Sequence, residues 1–255
     1  MKNINVTDDQ TDQSIKIVEL NKPEIKNAFN PEMIAELTEC FKKLSTDAQT
    51  KLIILKGSGT VFCAGADLNW MKSMAQFSYE QNISDSEKLW EMFEAIAFCN
   101  KPVVGIVHGA AFGGALGLIA CCDQVIADEK TKFCFSEVKL GLSPAVISAF
   151  IMRKCADTFV RPYMLNADIF DVNTAQRMGL VHNVITDVEL WPENVRKYSA
   201  LGIEAIRETK KLLNDIEQSK HAVSWTKQKS LTTKVISERR MSEEGQSRLK
   251  AFLKI

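Results

Sequence analysis

Three observations in the sequence predict a layered α/β fold. Short continuous apolar runs of buried-strand type recur, notably Leu52-Ile53-Ile54-Leu55 and Val103-Val104-Gly105-Ile106-Val107. Segments with apolar residues at helical spacing alternate with them, which is the rhythm of helices laid on a sheet. From about residue 191 the pattern turns helical and charged, with Ile203, Ile206, Lys210 and Leu213 at one spacing. A chain of 255 residues, 45% hydrophobic and 25% charged, is long enough to bury a sizeable core. The expected organisation is a core over residues 1–190 and a helical part over residues 191–255.

Each element has a local reason. Ile15-Lys16-Ile17-Val18-Glu19-Leu20 partly alternates and reads as a strand. Asn30-Pro31-Glu32 is a helix start, with an asparagine N-cap, proline at the first helical position and an acid in the first turn. Met33, Ile34, Leu37, Phe41 and Leu44 follow at helical spacing, and the helix is expected to end by Asp47. Gly57-Ser58-Gly59-Thr60 closes the next strand. Asp67 can cap a helix ending at Met74, and the small residues before it leave the amide of Ala66 open. Ser84-Asp85-Ser86-Glu87 has capping-box spacing and predicts a helix from there through Cys99. Residues 124–127, 131–135 and 180–185 read as further strands. Ser136-Glu137-Val138-Lys139-Leu140-Gly141-Leu142-Ser143-Pro144 reads as a loop or short turn.

The centre of the chain is Val107-His108-Gly109-Ala110-Ala111-Phe112-Gly113-Gly114-Ala115-Leu116-Gly117-Leu118, where a buried strand hands over to a buried helix through glycines. A helix beginning near Gly114 points free N–H groups outward, a setting suited to an anionic oxygen. Glycines also serve simply to let a helix pack closely on a strand, and these residues alone fit both readings.

Several classes are disfavoured. Lys+Arg and Asp+Glu both number 32, so the net charge of +0 gives no reason to expect a polyanionic partner, and nucleic acid is not expected. Seven cysteines without C-x-x-C spacing suggest neither a disulfide framework nor a metal site; they read as reduced core residues of a cytoplasmic protein. The N-terminus has no apolar h-region, and the longest weakly polar run, residues 109–122, is too short to span a bilayer. No G-x-S-x-G, H-E-x-x-H or P-loop pattern occurs, Gly57 and Gly59 are only a fragment of a dinucleotide fingerprint, and His108, His182 and His221 lie far apart. His108 is expected in a packing or backbone hydrogen-bonding role.

Taken together, Phe62-Cys63-Ala64-Gly65-Ala66-Asp67-Leu68, Gly109-Ala110-Ala111-Phe112-Gly113-Gly114 and Phe135-Ser136-Glu137-Val138-Lys139-Leu140-Gly141-Leu142-Ser143-Pro144 stand in the order and spacing of the enoyl-CoA hydratase/isomerase (crotonase) superfamily. The chain resembles that family over nearly its whole length. The resemblance implies an α/β, crotonase-like spiral of ββα units with a C-terminal helical part for oligomerisation and covering of the site. It implies a homotrimer or dimer of trimers acting on an acyl-CoA substrate, with coenzyme A part of the substrate and no other cofactor or metal.

Carried over residue by residue, the amides of Ala66 and Gly114 hold the thioester oxygen, and Glu137 is the catalytic carboxylate. The family's second glutamate falls at Gly117, which leaves room there for a branched or carboxylated acyl chain. Ala64, Asp67, Leu68 and Gly113 fall in the substrate-binding set, and Lys26 is placed for a CoA phosphate. The wording Ala66-Asp67-Leu68-Asn69-Trp70-Met71 and Pro144-Ala145-Val146-Ile147-Ser148 looks most like the bacterial methylglutaconyl-CoA hydratase branch. An isomerase using Glu137 alone and a non-catalytic acyl-CoA-binding relative are the alternatives. An RNA-binding role would want a basic face, which the balanced charge does not supply.

Overall fold

Strands buried on both faces organise the molecule. In the computed structural model, which describes residues 2–187, 189, 191–219 and 224–254, the main sheet has six strands. These are β1 (Ile4–Asp8), β2 (Ile15–Leu20), β3 (Leu52–Gly57), β4 (Val103–Val107), β6 (Gln124–Asp128) and β9 (Asn183–Ile185), in that spatial order. Only the β1–β2 pair is antiparallel. Along β3, Ile53 and Leu55 enter the large core, while Leu52 and Ile54 enter a second cluster on the opposite face with Val104, Ile106 and Ile126. A parallel strand with no solvent face reads as an unbroken apolar run, which is why the sequence betrays it.

The second sheet is short: β5 (Ala110–Phe112), β7 (Lys132–Cys134) and β8 (Phe170–Asp171). Single parallel bridges extend it from Ala111 to Cys63 and from Ala66 to Phe29. Each turn of chain thus contributes one strand to each sheet and then a helix, the expected spiral of ββα units. Helix α1 (Pro31–Thr46) starts at Asn30, whose side chain accepts from the Met33 amide at 2.9 Å. Helix α2 (Leu68–Met74) is capped by Asp67, and α4 (Ala115–Cys121) follows Gly114; both begin where predicted.

Helix α3 (Tyr79–Ala97) corrects the sequence reading. It begins before Ser84, with a capping box formed by Ser78 and Gln81, and Ser84 to Glu87 lie inside it. The last strand is also shorter than residues 180–185, since only Asn183–Ile185 pair with β6.

Helices α5 (Ala145–Lys154), α6 (Asp157–Asn166) and α7 (Val172–Met178) complete the body. Beyond them come α8 (Trp191–Val195), α9 (Ile203–Ser219), α10 (Trp225–Met241) and α11 (Glu243–Leu253). The helical part is continuous with the body rather than separate from it. Trp191 and Val195 bury against the second face of the main sheet, and α10 packs on α3 and α5. Trp225 at the start of α10 meets Trp90 and Phe150 at ring-centroid distances of 5.0 and 5.2 Å, and its indole donates to Glu94 at 2.9 Å.

All seven cysteines are unpaired and buried. Burial pushes the Cys63, Cys122 and Cys155 thiols up to about 12, so they sit in the core as neutral groups. No helix among the described residues is long and apolar enough to cross a membrane.

Candidate active site

The ends of the short strands and the tail helices enclose a cavity of 680 Å³. Its wall includes Lys26, Ala64, Ala66, Asp67, Leu68, Gly113, Gly114 and Glu137, so eight of the nine positions singled out by sequence share one space.

Two loops are pressed together on one side of it. Asn27, buried and at φ 53°, donates through Nδ2 to the carbonyls of Ser58 and Val61 at 2.7 and 3.0 Å and accepts from the Lys22 amide at 2.9 Å. This clamp fixes the turn after β3 and hence the segment 62–66. Gly65 sits at φ 92°, where a Cβ would lie 2.7 Å from the Phe112 carbonyl oxygen and 3.8 Å from the Gly114 nitrogen. Only glycine permits that approach. It brings the amide of Ala66 beside that of Gly114, and neither N–H has an acceptor among the described residues. On Ala66 the reason is the parallel bridge: Phe29 is bonded to Gly65 and Asp67 on either side, leaving the amide between them unused.

Glu137 lines the same cavity, close to Gly113. It opens a 3-10 turn, Glu137–Leu140, which ends at Gly141 in the left-handed region. Arg239 of α10 donates twice to the Gly141 carbonyl, at 2.8 and 3.2 Å, and so ties this turn to the tail. A Cβ on Gly113 would lie 3.5 Å from Glu137 Oε1. Oε2 is sealed from solvent and makes no hydrogen bond among the described residues. Burial outweighs a hydrogen bond from the residue's own backbone N–H and pushes the carboxyl from 4.5 to about 7. The other two carboxylates on the wall are occupied: Asp67 caps α2, accepting from Asn69 and Trp70 at 2.8 and 3.0 Å, and exposed Glu24 pairs with Lys22 at 3.5 Å.

Gly117 is the ninth position, and it does not line the cavity. A Cβ there would lie 2.6 Å from Ile147 Cγ2 and 2.7 Å from Phe93 Cζ. The expected room for an acyl chain is therefore corrected: the space beside Gly117 is filled by two core side chains, of which Ile147 forms the cavity wall. Gly117→Ala should overpack this contact and cost about 1–3 kcal/mol. Urea unfolding checks it, the midpoint falling while the slope holds. An unchanged midpoint would mean that Phe93 and Ile147 give way freely.

Of the histidines, His108 Nε2 contacts the Gly59 carbonyl at 2.9 Å away from the cavity, the backbone role expected of it. His182 accepts from the Val125 amide through Nδ1 at 2.9 Å, and burial lowers its pKa to about 4, so it stays neutral. His221 lies outside the described residues. No group of three potential metal-ligating side chains occurs among the described residues. Arg240, Ile236 and Phe252, on the tail helices, also reach the cavity and were not anticipated from sequence. They sit in charged segments with no motif to mark them.

A sequence model of the enoyl-CoA hydratase/isomerase family matches residues 10–253. The chain belongs to this family. An enoyl-CoA hydratase of Alternaria alternata is 34% identical over 209 residues, which is 82% of this chain but 63%, less than two thirds, of that relative. A crotonyl-CoA hydratase of Syntrophomonas wolfei is 29% identical over 81% of this chain and 80% of its own. The crystal structure of an enoyl-CoA hydratase from Shewanella pealeana superposes with a TM-score of 0.81 at 34% identity, over 99% of this chain and 93% of that one. Within the hydratase/isomerase family, then, this member presents one partly buried acid and two open amides to a common cavity.

Proposed function

We propose that this protein is an enoyl-CoA hydratase/isomerase that acts on an acyl-CoA thioester through an enolate, with the methylglutaconyl thioester as its hydration substrate. The observation that carries the reading is the pairing of unpartnered amides at Ala66 and Gly114 with the carboxyl of Glu137, whose Oε2 is likewise unpartnered, in one cavity. Enolate formation moves negative charge onto the thioester oxygen. Amides already fixed at that point stabilise it without reorganising, each by about 2.7–4 kcal/mol in comparable sites. Helix α4 behind Gly114 has seven residues, so its dipole adds little to the two amides.

In hydration, Glu137 takes a proton from water as the oxygen bonds to C3, and electrons shift to the thioester oxygen. The same carboxyl then returns that proton to C2, restoring the thioester. In isomerisation, Glu137 removes a proton from C2 of a 3-enoyl thioester and returns it to C4. The presence of one available acid, with Gly117 where the family has a second, favours this second reading as a companion activity. The exposed Lys26 at the cavity rim suits a CoA phosphate, and the Ala64 carbonyl, which accepts nothing among the described residues, suits the adenine amino group. Exposed Leu201, Leu212 and Leu213 are surfaces that other copies in a trimer or pair of trimers would cover.

Incubation with 2-enoyl, 3-enoyl and carboxylated enoyl thioesters, with products identified by mass spectrometry, tests the reading. Formation of 3-hydroxyacyl or shifted-alkene products supports it, and recovery of every thioester unchanged refutes it.

The pH dependence has a defined sign. Proton removal from C2 requires ionised Glu137, and in the free protein that carboxyl titrates at about 7. Hence kcat/KM for a 3-enoyl thioester should be level above that pH and fall about tenfold per unit below it. A profile flat down to pH 5 would remove Glu137 as the base.

A further inference from the structure

Arg240 of α10 is 5% exposed, yet it lines the same cavity as Glu137. Its guanidinium is used on one side only. Nη1 donates to Asp85 Oδ2 at 2.9 Å, and to Asn82 Oδ1 and Ser86 Oγ at 3.4 Å each, all on α3. Asp85 is itself committed, since Oδ1 accepts from the Trp70 indole at 3.1 Å. Nε of Arg240 is sealed and makes no hydrogen bond, and Nη2 makes none either among the described residues.

These two unused nitrogens are not scattered. Nε–H and the neighbouring Nη2–H point the same way and form the side-on fork that matches the two oxygens of a carboxylate. Leaving the charged Nε–H unsatisfied away from water is costly, so a native ligand that completes it, together with the free Nη2–H beside it, is the economical explanation. The other lysines on the cavity wall, Lys26 and Lys72, are exposed at its rim, which leaves Arg240 as the buried cation among the described lining residues.

We propose that Arg240 binds a carboxylate at the distal end of the acyl group, so that the cavity selects thioesters of dicarboxylic acids over those of plain fatty acids. This rests on the acyl-CoA reading above and identifies the residue that reads the substrate. Asp85, Asn82 and Ser86 position the guanidinium, and Asp85 keeps it charged without occupying the fork.

Binding of two saturated thioesters by calorimetry tests the proposal without requiring turnover. Glutaryl-CoA carries the distal carboxylate; butyryl-CoA lacks it. The wild type should bind glutaryl-CoA at least tenfold more tightly. Two variants are compared because removing Arg240 alone strands Asp85. The double variant Asp85→Asn with Arg240→Gln keeps a neutral hydrogen-bonded pair and should bring the ratio near one. Arg240→Lys keeps the charge but loses the fork and should reduce the ratio at least threefold. Equal wild-type affinities, or a preference that survives in Arg240→Lys and in a folded double variant, would overturn the assignment. If neither thioester binds the wild type, the acyl-CoA reading itself fails. If glutaryl-CoA is preferred but no enoyl thioester is converted, the Arg240 assignment stands and the catalytic reading alone falls.

Discussion

Glu137→Gln is expected to lower kcat by about 100-fold or more on every thioester the wild type converts, while substrate affinity changes little. Glutamine keeps the size and polarity of the side chain but can neither accept nor return the proton, and general acid-base groups commonly contribute about 10²–10⁴-fold. No other carboxyl on the wall can take over, because Asp67 is held by two amides and Glu24 is exposed and paired. The same change should stabilise the fold. Burial raises the Glu137 carboxyl from 4.5 to about 7, so the native state holds its proton more tightly than the unfolded chain. Stability from this group is therefore fully present below pH 4.5, is lost as pH rises to about 7, and stays lost above it. Relative to the wild type, Glu137→Gln should gain stability across that window, on the order of 3 kcal/mol at pH 8. Thermal melts at pH 4.5 and pH 8 give the comparison. A variant both slower and more stable would mark a carboxylate kept for chemistry at the expense of folding.

Ala66→Pro should reduce kcat by about 10²–10³-fold, since the group removed is the main-chain N–H itself. Ala66 is the cleaner position for this test. At Gly114 even a Cβ would lie 2.5 Å from Phe29 Cζ, so a proline ring there would displace the aromatic as well as delete the donor. Ala66 is not among the residues with positive φ, and its amide takes no part in the Phe29 bridge. Proline at 66 therefore removes no structural hydrogen bond. Far-UV circular dichroism identifies a folded variant, and wild-type turnover in such a variant would exclude the Ala66 amide from the oxyanion site.

Where the chain announces its structure, the signal comes from residues with one task. β3 and β4 are legible because both faces are buried, and α1 because Asn30-Pro31 is a start signal in itself. β1 was not legible: of its five residues only Ile4 is buried, so an edge strand left no apolar pattern. β5 hides among the glycines of the central turn. The start of α3 was missed for a reason tied to the site. Asn82, Asp85 and Ser86 are polar residues on the buried side of the helix, so they erase its apolar period, and they are the groups that hold Arg240. Site positions on motif loops could be found through the family resemblance that three motifs in register carry. Gly117 shows the limit of that method, because an aligned position says nothing about which neighbouring side chains fill the space a glycine leaves. Arg240 comes from the tail helices, some hundred residues beyond Glu137, and only folding brings it to the cavity.

Exchange of the C2 hydrogen tests enolate formation more directly than either net reaction. The protein is incubated with 3-butenoyl-CoA in D₂O and deuterium at C2 and C4 is followed by NMR. The wild type should incorporate deuterium at rates far above the spontaneous exchange, and Glu137→Gln and Ala66→Pro should each lose that acceleration by about 100-fold. Exchange by the wild type no faster than in buffer, or exchange undiminished in folded Glu137→Gln, would contradict an enolate formed by Glu137 beneath the two amides.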